Sequence, residues 1–516
     1  MTTDPAKPAR RSRTRKSRSS TSGQNPHMYV PYITRRIPPY DILDEESLTQ
    51  IEATTDRILA EIGIEFRDDA ETMRLFRAAG GTVTELPDNR WNIKFEPGMI
   101  REILKSAPAI FTQHARNPAN SIQVGGDATV FVPSCGSLFV MDLDKGRRYG
   151  TIEDFENFVK LAQSSPWMHH SGGSICEPTD VPVNKRRLDM VYAYMRYSDR
   201  PFLGSITAPS RAEDSIEMSR ILFGVDFVDQ NCVVMGNFNT TSPLVIDGET
   251  CAGIRAYAGA NQGSIHLPFL LGGAVSPLTM AGQAAQSLAE SMVSCAITQL
   301  VRPGSPAILA SFLVSLNMRS GSPTFGTPEP ALGTLVMGQL SRRLNMPFRG
   351  AGSFTTSKLP DAQAMQQSMM SAMQSGVNFN MHAAGYLDGL LSMSYEKFMM
   401  DADVCGALHA YAAGVPVNED TLGFEALAQN GPGEHLFGCD HTMRHYKTAY
   451  WDTALNDDQP WETWDEEGEI DHATRANTRW KESLAKYEAP PLDVGKDKEL
   501  KDFMDRKKAS MEDAWY

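Results

Sequence analysis

The chain has 516 residues, of which 22% are charged and 41% apolar, and its formal net charge is −14. This size and composition fit a large globular domain with appendages, and the negative charge argues against nucleic-acid binding. No apolar run approaches the ~20 residues that cross a bilayer, and seven scattered cysteines without a CxxC pair indicate a reduced, cytoplasmic protein.

The N-terminal part of the chain has two predicted segments. Residues 1–26 contain seven Lys or Arg and almost nothing apolar, so we expect a disordered basic tail, with a docking arm for an acidic partner as the alternative. Residues 27–128 alternate helix-length and strand-length stretches. Asp44-Glu45-Glu46-Ser47 is typical of a helix start with acids in its first turn. We predict a small N-terminal α/β cap here.

Eight β-rich apolar runs alternate with helix-length segments over residues 129–402. This alternation is typical of a closed parallel (β/α)₈ TIM barrel, with an open doubly wound sheet as the competing interpretation. We predict the barrel for residues 129–402 and a helical extension for residues 403–516. The eight predicted strands are Val130–Ser134, Met168–Ile175, Pro201–Ile206, Cys232–Asn239, Leu267–Val275, Pro306–Ser315, Pro347–Phe354 and Val377–Ala384.

Three long segments are distinctive: GGAVSPLTMAG at Gly272–Gly282, NMRSGSPTFGTPEPAL at Asn317–Leu332, and the stretch Met346–Asp403 with its VNFNMHAAGY motif. Together and in this order they resemble the trimethylamine methyltransferase family, and the resemblance extends from Ile42 to Lys486. It implies the barrel rather than the open sheet. It also implies transfer of a methyl group from a methylated amine to the cobalt of a separate corrinoid protein.

The resemblance also bears on the substrate. The family's best-known members carry pyrrolysine, by our placement near residues 349–354, where this chain has only standard residues. Members without it resemble betaine demethylases, so we expect a small quaternary amine that carries a carboxylate, with glycine betaine as first choice. Trimethylamine or another methylamine, and a non-catalytic betaine-binding relative, remain alternatives. A lysine Schiff-base lyase is disfavoured because no lysine lies within the eight predicted strands.

Candidate site residues follow from the strand ends, where barrel enzymes place their chemistry. Period-2 alternation puts Asn378, Asn380 and His382 on one face, and we predict them as the catalytic residues. Aromatic faces hold quaternary ammonium groups, although core packing is the alternative for each ring. Arg319, Lys358 or His382 is expected to hold the carboxylate. The predicted substrate-binding residues are Phe131, His170, Asn237, Phe238, Phe312, Arg319, Phe325, Ser353, Phe354 and Tyr386.

We predict no cofactor bound by this chain, a corrinoid supplied by a cognate partner protein, and a homo-oligomer. The stretch Asn380–Gly385 superficially resembles a DxHxxG cobalt-ligand motif, but its Asp is replaced and no Rossmann-like domain follows. His435, Cys439, His441 and His445 include i,i+4 spacings that can gather zinc ligands on a helix. Because Gly431-Pro432-Gly433 breaks that helix, we predict no metal site.

Overall fold

The computed structural model describes residues 29–319, 321–353, 355 and 362–515, without the side chains of 362–364. The described residues form two compact units. Tyr29 and 416–454 belong to the first, here called the small unit. The described parts of 30–415 and 455–515 belong to the second, the large unit. Among these residues, none of the helices combines the length and apolar character that a bilayer crossing requires.

The strands all lie in the large unit. They are β1 Ile33–Thr34, β2 Ile64–Arg67, β3 Thr82–Leu86, β4 Arg90–Lys94, β5 Ile110–Gln113, β6 Ile122–Gly125, β7 Ala128–Pro133, β8 Phe139–Asp142, β9 Gly146–Tyr149, β10 Phe202–Leu203, β11 Val234–Asn239, β12 Val245–Ile246, β13 Gly263–Leu267, β14 Phe269–Leu271, β15 Ala307–Ala310, β16 Phe312–Leu316, β17 Pro323–Thr324, β18 Phe348–Ala351, β19 Phe379–Ala384, β20 Tyr386–Leu387 and β21 Ser392–Ser394.

The helices α13 to α15 lie in the small unit and the others in the large unit. They are α1 Glu45–Arg57, α2 Ala70–Ala78, α3 Met99–Leu104, α4 Ile152–Ser164, α5 Arg186–Tyr197, α6 Pro209–Phe223, α7 Val225–Gln230, α8 Gly248–Gly259, α9 Met280–Val301, α10 Pro328–Arg343, α11 Ala362–Gln374, α12 Tyr395–Ala412, α13 Glu419–Leu422, α14 Phe424–Asn430, α15 Asp440–His445, α16 Trp461–Glu466, α17 His472–Ala485 and α18 Val494–Ala509.

Eight strands form the main sheet, in the order β1, β7, β19, β18, β15, β13, β11 and β10. All neighbours pair in parallel except β1, which pairs antiparallel with β7. Helices α8 to α11 follow β11, β13, β15 and β18 in turn along the chain, which is the connectivity of successive βαβ units. The fold is therefore mixed α/β with a curled, mostly parallel sheet, which confirms the predicted α/β class, while the closed barrel stays a prediction.

The second predicted strand, Met168–Ile175, is not a regular strand. Gly172 has a φ of 108°, a left-handed conformation that interrupts an extended run. The segment still joins neighbouring strands through its backbone. The His169 amide donates to the Phe131 carbonyl of β7 (3.1 Å), and the Leu203 amide of β10 donates to the Gly172 carbonyl (2.9 Å). It thus bridges β7 and β10 without forming a ladder.

The fifth predicted strand, Leu267–Val275, starts too late, because β13 spans Gly263–Leu267. The predicted strand left out the polar residues Ser264 and His266. In the structure both are buried and bond to α9. Ser264 Oγ lies 2.9 Å from Thr298 Oγ1, and His266 Nδ1 lies 2.7 Å from Ser294 Oγ. Tertiary hydrogen bonds make this polar strand possible, and local sequence does not reveal them.

The main sheet has two distinct faces. The outer face packs against helices, including α8, α9, α10 and α12. The opposite face, here called the inner face, carries a separate apolar cluster whose members alternate with the helix-facing side chains. Its strand members include Val130, Val132, Met235, Ile265, Ile308, Ala310, Ala351, Phe379 and Met381.

The predicted N-terminal segments form a small sheet of their own. Strands β2, β4 and β3 pair antiparallel, and β12 extends this sheet from the middle of the chain. The predicted helix start is confirmed, because the Asp44 carboxylate accepts a hydrogen bond from the Ser47 amide (2.8 Å) ahead of α1. This contact satisfies one of the amides that every helix start leaves unpaired.

Candidate active site

A backbone irregularity in β19 positions His382. The residue has a φ of 62°, and the pairing of β19 with β7 shifts register between Asn380 and Ala384. A left-handed residue inside a strand breaks the period of two, since it rotates its side chain out of the expected direction. The ring of His382 consequently stacks on Tyr386, with centroids 4.6 Å apart, on the inner face.

The expectation that three polar side chains of β19 share one face is therefore wrong. Asn378 lies at the start of the strand, where its side chain accepts from the Phe348 amide (3.0 Å) and donates to the Ala128 carbonyl (2.8 Å). Asn380 faces the helices, with Nδ2 4.0 Å from Met369 Sδ of α11. Period-2 reasoning fails here because it presumes a regular strand up to the end.

Arg349 on β18 lies beside His382 and is fully buried. Its Nη2 is 2.7 Å from His382 Nε2 and 3.2 Å from Met381 Sδ, and Nη1 contacts the Ser311 carbonyl at 3.4 Å. Among the described residues no carboxylate lies within ion-pair distance of Arg349, and its Nε has no hydrogen-bond partner there. A buried guanidinium without a counter-charge is costly unless a ligand supplies one.

The charge of this pair is carried by Arg349 alone. Burial, reinforced by the neighbouring guanidinium, holds the pKa of His382 well below its usual value of 6.5. Burial lowers the pKa of Arg349 to about 10, which leaves it charged at neutral pH. Since a guanidinium can only donate, His382 Nε2 accepts the hydrogen bond. Among the described residues, the inner face thus holds a neutral imidazole, His382, beside a guanidinium that no carboxylate pairs.

Aromatic side chains surround this pair. The Phe312 ring lies 6.0 Å from the His382 ring and 5.8 Å from Arg349 Cζ, and it packs on Phe269 at 4.9 Å. Phe312 also lines, together with Phe325, a small cleft of about 30 Å³. Phe312 therefore lies close both to this cleft and to the buried Arg349–His382 pair.

A buried polar cluster fixes the ends of β18 and β19. Lys397 Nζ lies 2.7 and 2.8 Å from the two oxygens of Asp401, one turn later on α12. The Ser353 hydroxyl donates to Asp401 (2.6 Å) and accepts from Lys397 (2.6 Å), and the Gly385 amide donates to Asp401 (2.8 Å). Burial lowers the pKa of Lys397 and raises that of Asp401. Through its bonds to Lys397 and Asp401, Ser353 thus helps to fix the ends of β18 and β19.

Comparison with known proteins decides the family. The profile described as trimethylamine methyltransferase matches residues 9–512. The chain belongs to the trimethylamine methyltransferase family. This membership confirms the family predicted from the sequence and, with it, the expectation of a methyltransferase.

Three relatives of the trimethylamine methyltransferase family align over nearly the whole chain. A glycine betaine methyltransferase of Desulfitobacterium hafniense (strain Y51) is 38% identical over 91% of this chain and 97% of its own length. A proline betaine:corrinoid methyltransferase of Eubacterium limosum is 25% identical over 91% and 96%. A trimethylamine methyltransferase of Desulfitobacterium hafniense (strain DSM 10664 / DCB-2) is 23% identical over 87% and 90%. The family includes enzymes with different methylated amines, so site chemistry must distinguish the substrates.

Two predicted substrate-binding aromatics of this family member lie on the outer face. Phe131 stacks on His169, with centroids 5.6 Å apart. Phe238 packs edge-on against Tyr257 of α8 at 5.7 Å. Both rings belong to the helix-facing core, because they occupy the alternate positions of β7 and β11. They therefore lie on the face opposite to Arg349 and His382.

The remaining predicted residues divide by position. His170 is buried, with its Nδ1 accepting from the Gly172 amide (2.9 Å) and its ring edge-on to the inner-face residue Phe379 at 5.3 Å. Asn237 alternates with the helix-facing Phe238 and is half-buried. Within the described residues, His170 Nε2 and Asn237 Oδ1 have no hydrogen-bond partner. Arg319 is exposed in a loop. Phe354 and Lys358 lie outside the described residues.

Sequence reasoning missed Arg349, Lys397 and Asp401. Arg349 interrupts the apolar run of the seventh predicted strand, and a lone charge in a strand is a signal of a buried functional group. Lys397 and Asp401 have the i,i+4 spacing of a helical ion pair inside an otherwise apolar stretch. Both signals are visible in the sequence, but only the fold reveals what each charge faces.

Proposed function

We propose that this enzyme transfers a methyl group from glycine betaine, or a related small betaine, to the corrinoid of a separate partner protein. Membership in the family supports the methyltransferase reaction. The names of two relatives, a glycine betaine methyltransferase and a proline betaine:corrinoid methyltransferase, support the donor and acceptor classes. Corrinoid is the cofactor of the partner and the methyl acceptor in this reaction.

The observation that carries the proposal is the uncompensated Arg349. A betaine brings a carboxylate that can take two parallel hydrogen bonds from a guanidinium. Arg349 Nε has no partner among the described residues, so part of its donor capacity remains for a ligand. Trimethylamine has no anionic group and would leave this buried charge unpaired. The site therefore favours a zwitterion over a simple amine.

The ammonium end of a betaine would face the aromatic side chains. The Tyr386 and Phe312 rings lie 4.6 and 6.0 Å from the His382 ring, and ring faces attract quaternary ammonium groups by ~0.5–2 kcal/mol each. The neutral state of His382 suits this environment, because a protonated imidazole would repel the substrate nitrogen. His382 is a binding and positioning group in this proposal rather than an acid or base.

The reaction requires no proton transfer at the substrate. The bond between the methyl carbon and nitrogen breaks with its electron pair remaining on nitrogen, and the methyl carbon bonds to the reduced cobalt of the partner. The products are a methylated corrinoid and a dimethylamino acid. What the chain supplies is orientation, which contributes up to ~7–11 kcal/mol when reactants are well aligned, and exclusion of water around the charged nitrogen.

We infer that the main sheet closes into the (β/α)₈ barrel through the segment around His169–Gly172, because its backbone bonds to both β7 and β10. The inner face would then be the barrel interior, with Arg349 and His382 near the carboxyl ends of their strands, where barrel enzymes place their sites. The boundaries predicted from the sequence for the cap, the barrel and the helical extension are part of this proposal.

Methyl transfer to free reduced cobalamin tests the donor. Glycine betaine, choline and trimethylamine should each be supplied under anaerobic conditions, and the absorbance change of cobalt(I) to methyl-cobalt followed. We expect transfer from glycine betaine and little from the other two, since only the betaine has a carboxylate. Transfer from trimethylamine with none from betaines would overturn the proposal. Calorimetric binding of glycine betaine without transfer to cobalamin or to any corrinoid protein would favour a non-catalytic betaine binder.

A further inference from the structure

Three potential metal ligands converge within the small unit. Asp420 lies on α13, and His441 and His445 lie one turn apart on α15. One ligand atom from each lies within 4.8 Å of the others. Asp420 Oδ2 is 2.8 Å from His445 Nε2, and the two imidazole centroids are 4.5 Å apart. Two histidines and one carboxylate form a donor set typical of divalent transition-metal sites.

Hydrogen bonds outside the donor set orient two of these groups. His441 Nε2 lies 2.9 Å from the Asp420 carbonyl. Because a carbonyl only accepts, Nε2 donates and Nδ1 keeps the lone pair that a metal ion needs. Arg444 Nη2 binds Asp420 Oδ1 at 2.7 Å, which leaves Oδ2 directed at His445. Metal-binding histidines and carboxylates are usually held by such outer contacts.

The described residues of the small unit bury almost no apolar surface. Ala426 is the single buried hydrophobic side chain among its described residues. Within the same unit Phe424, Phe437 and Tyr450 are 71%, 84% and 85% exposed. Segments of about 40 residues or fewer usually require a disulfide, a metal ion or a partner in order to fold, and Cys439, the cysteine of this unit, is free.

We propose that Asp420, His441 and His445 bind a divalent transition-metal ion, with Zn²⁺ as the first choice, and that the ion links α13 to α15. These helices have four and six residues, too short to be stable by themselves. Tetrahedral zinc with bonds of ~2.0–2.1 Å separates neighbouring ligands by ~3.3 Å. The Asp420–His445 contact must therefore widen slightly, which is feasible because both side chains are partly exposed.

The proposal reverses the prediction of no metal site made from the spacing of four residues. Gly431-Pro432-Gly433 does interrupt the helical structure, but α15 begins after it at Asp440, so His441 and His445 keep their helical spacing. His435 is exposed and Cys439 bonds to Thr442 instead. The third ligand, Asp420, is distant in sequence, and spacing within one segment does not reveal it.

Zinc titration of the untagged, chelator-treated full-length protein tests this site. We expect one high-affinity Zn²⁺ per chain by calorimetry, and a cobalt(II) derivative with tetrahedral visible absorption. His445→Ala and Asp420→Asn should each weaken binding more than ~100-fold, since loss of an outer contact alone costs 10–100-fold. The matched control His435→Ala, in the same unit, should leave affinity unchanged.

Protease sensitivity provides a second readout that is independent of methyl transfer. Zinc should slow cleavage between Pro416 and Ala454 in the wild-type protein and in His435→Ala, but not in Asp420→Asn, which preserves side-chain shape. Absence of stoichiometric zinc binding would refute the proposal. So would equal zinc affinity in the wild type and in both ligand variants, because the ion would then be bound elsewhere.

Discussion

Replacement of Arg349 by methionine should separate stability from substrate binding. Arg349 is fully buried, and no carboxylate among the described residues faces it. Apolar replacement of buried charges is often neutral or stabilising by about 1–4 kcal/mol. The variant loses the hydrogen bonds to His382 and the Ser311 carbonyl, which offsets part of this gain. We therefore expect Arg349→Met, without ligand, to be as stable as the wild type or more stable by about 0–3 kcal/mol.

Binding of glycine betaine should weaken in Arg349→Met, although stability does not. A betaine carboxylate in the Arg349→Met site would be buried without its counter-charge, a loss of about 2–5 kcal/mol. At 1.4 kcal/mol per factor of ten, the Kd for glycine betaine rises roughly 30- to 4,000-fold. Choline shares the quaternary ammonium group but has no carboxylate. Its Kd should stay constant or fall, because removal of the guanidinium also removes a repulsion.

Urea unfolding of the ligand-free proteins and calorimetry with both ligands measure these effects. Arg74→Met is the matched control, because Arg74 is an exposed arginine of α2 and should affect neither quantity. An unchanged Kd for glycine betaine in Arg349→Met would refute the assignment of the carboxylate site. Equal loss of glycine betaine and choline binding, together with lower stability, would mean that Arg349 has a structural role only.

Three further predictions follow from the same contacts. Lys397→Met leaves the buried Asp401 without its counter-charge, so the free energy of unfolding in urea should fall by about 3–5 kcal/mol. The double variant Lys397→Met/Asp401→Leu should recover most of this loss. Burial lowers the pKa of His382, so below about pH 6.5 the unfolded state binds a proton that the folded state does not. The free energy of unfolding therefore falls as pH decreases. His382→Gln should reduce the slope of unfolding free energy against pH by up to about 1.4 kcal/mol per pH unit. Tyr386→Leu should weaken glycine betaine and choline alike by ~0.5–2 kcal/mol, whereas Phe238→Leu on the outer face should lower stability without changing either Kd.

The fold was accessible from the sequence because strand and helix periods alternate clearly after residue 129. The errors occur where tertiary contacts override local pattern. β13 contains Ser264 and His266, which a strand tolerates only because α9 supplies hydroxyl partners. The segment containing Gly172 was predicted as one of the eight β-rich apolar runs, yet its backbone leaves the extended region at that residue.

The site was only partly accessible from the sequence. His382 was selected because it was expected to share a face with Asn378 and Asn380, which it does not. It reaches the inner face because its own backbone is left-handed, and the sequence pattern does not predict this conformation. Alternation correctly separates inner from outer positions in regular strands, but it was not applied to Phe131 and Phe238, which face the helices. Arg349 was overlooked because the sequence does not show which groups its guanidinium contacts, and its role follows only from those contacts.

Arg349 should also influence the rate of methyl transfer, because the substrate changes charge during the reaction. A betaine has no net charge, whereas the dimethylamino acid that first forms carries only its carboxylate. Repulsion between Arg349 and the ammonium group therefore disappears as the carbon–nitrogen bond breaks, and the pairing with the carboxylate remains. An interaction that is stronger in the transition state than in the ground state increases kcat. Arg349→Met should thus lower the single-turnover rate even at saturating glycine betaine. An unchanged rate at saturation would limit Arg349 to binding.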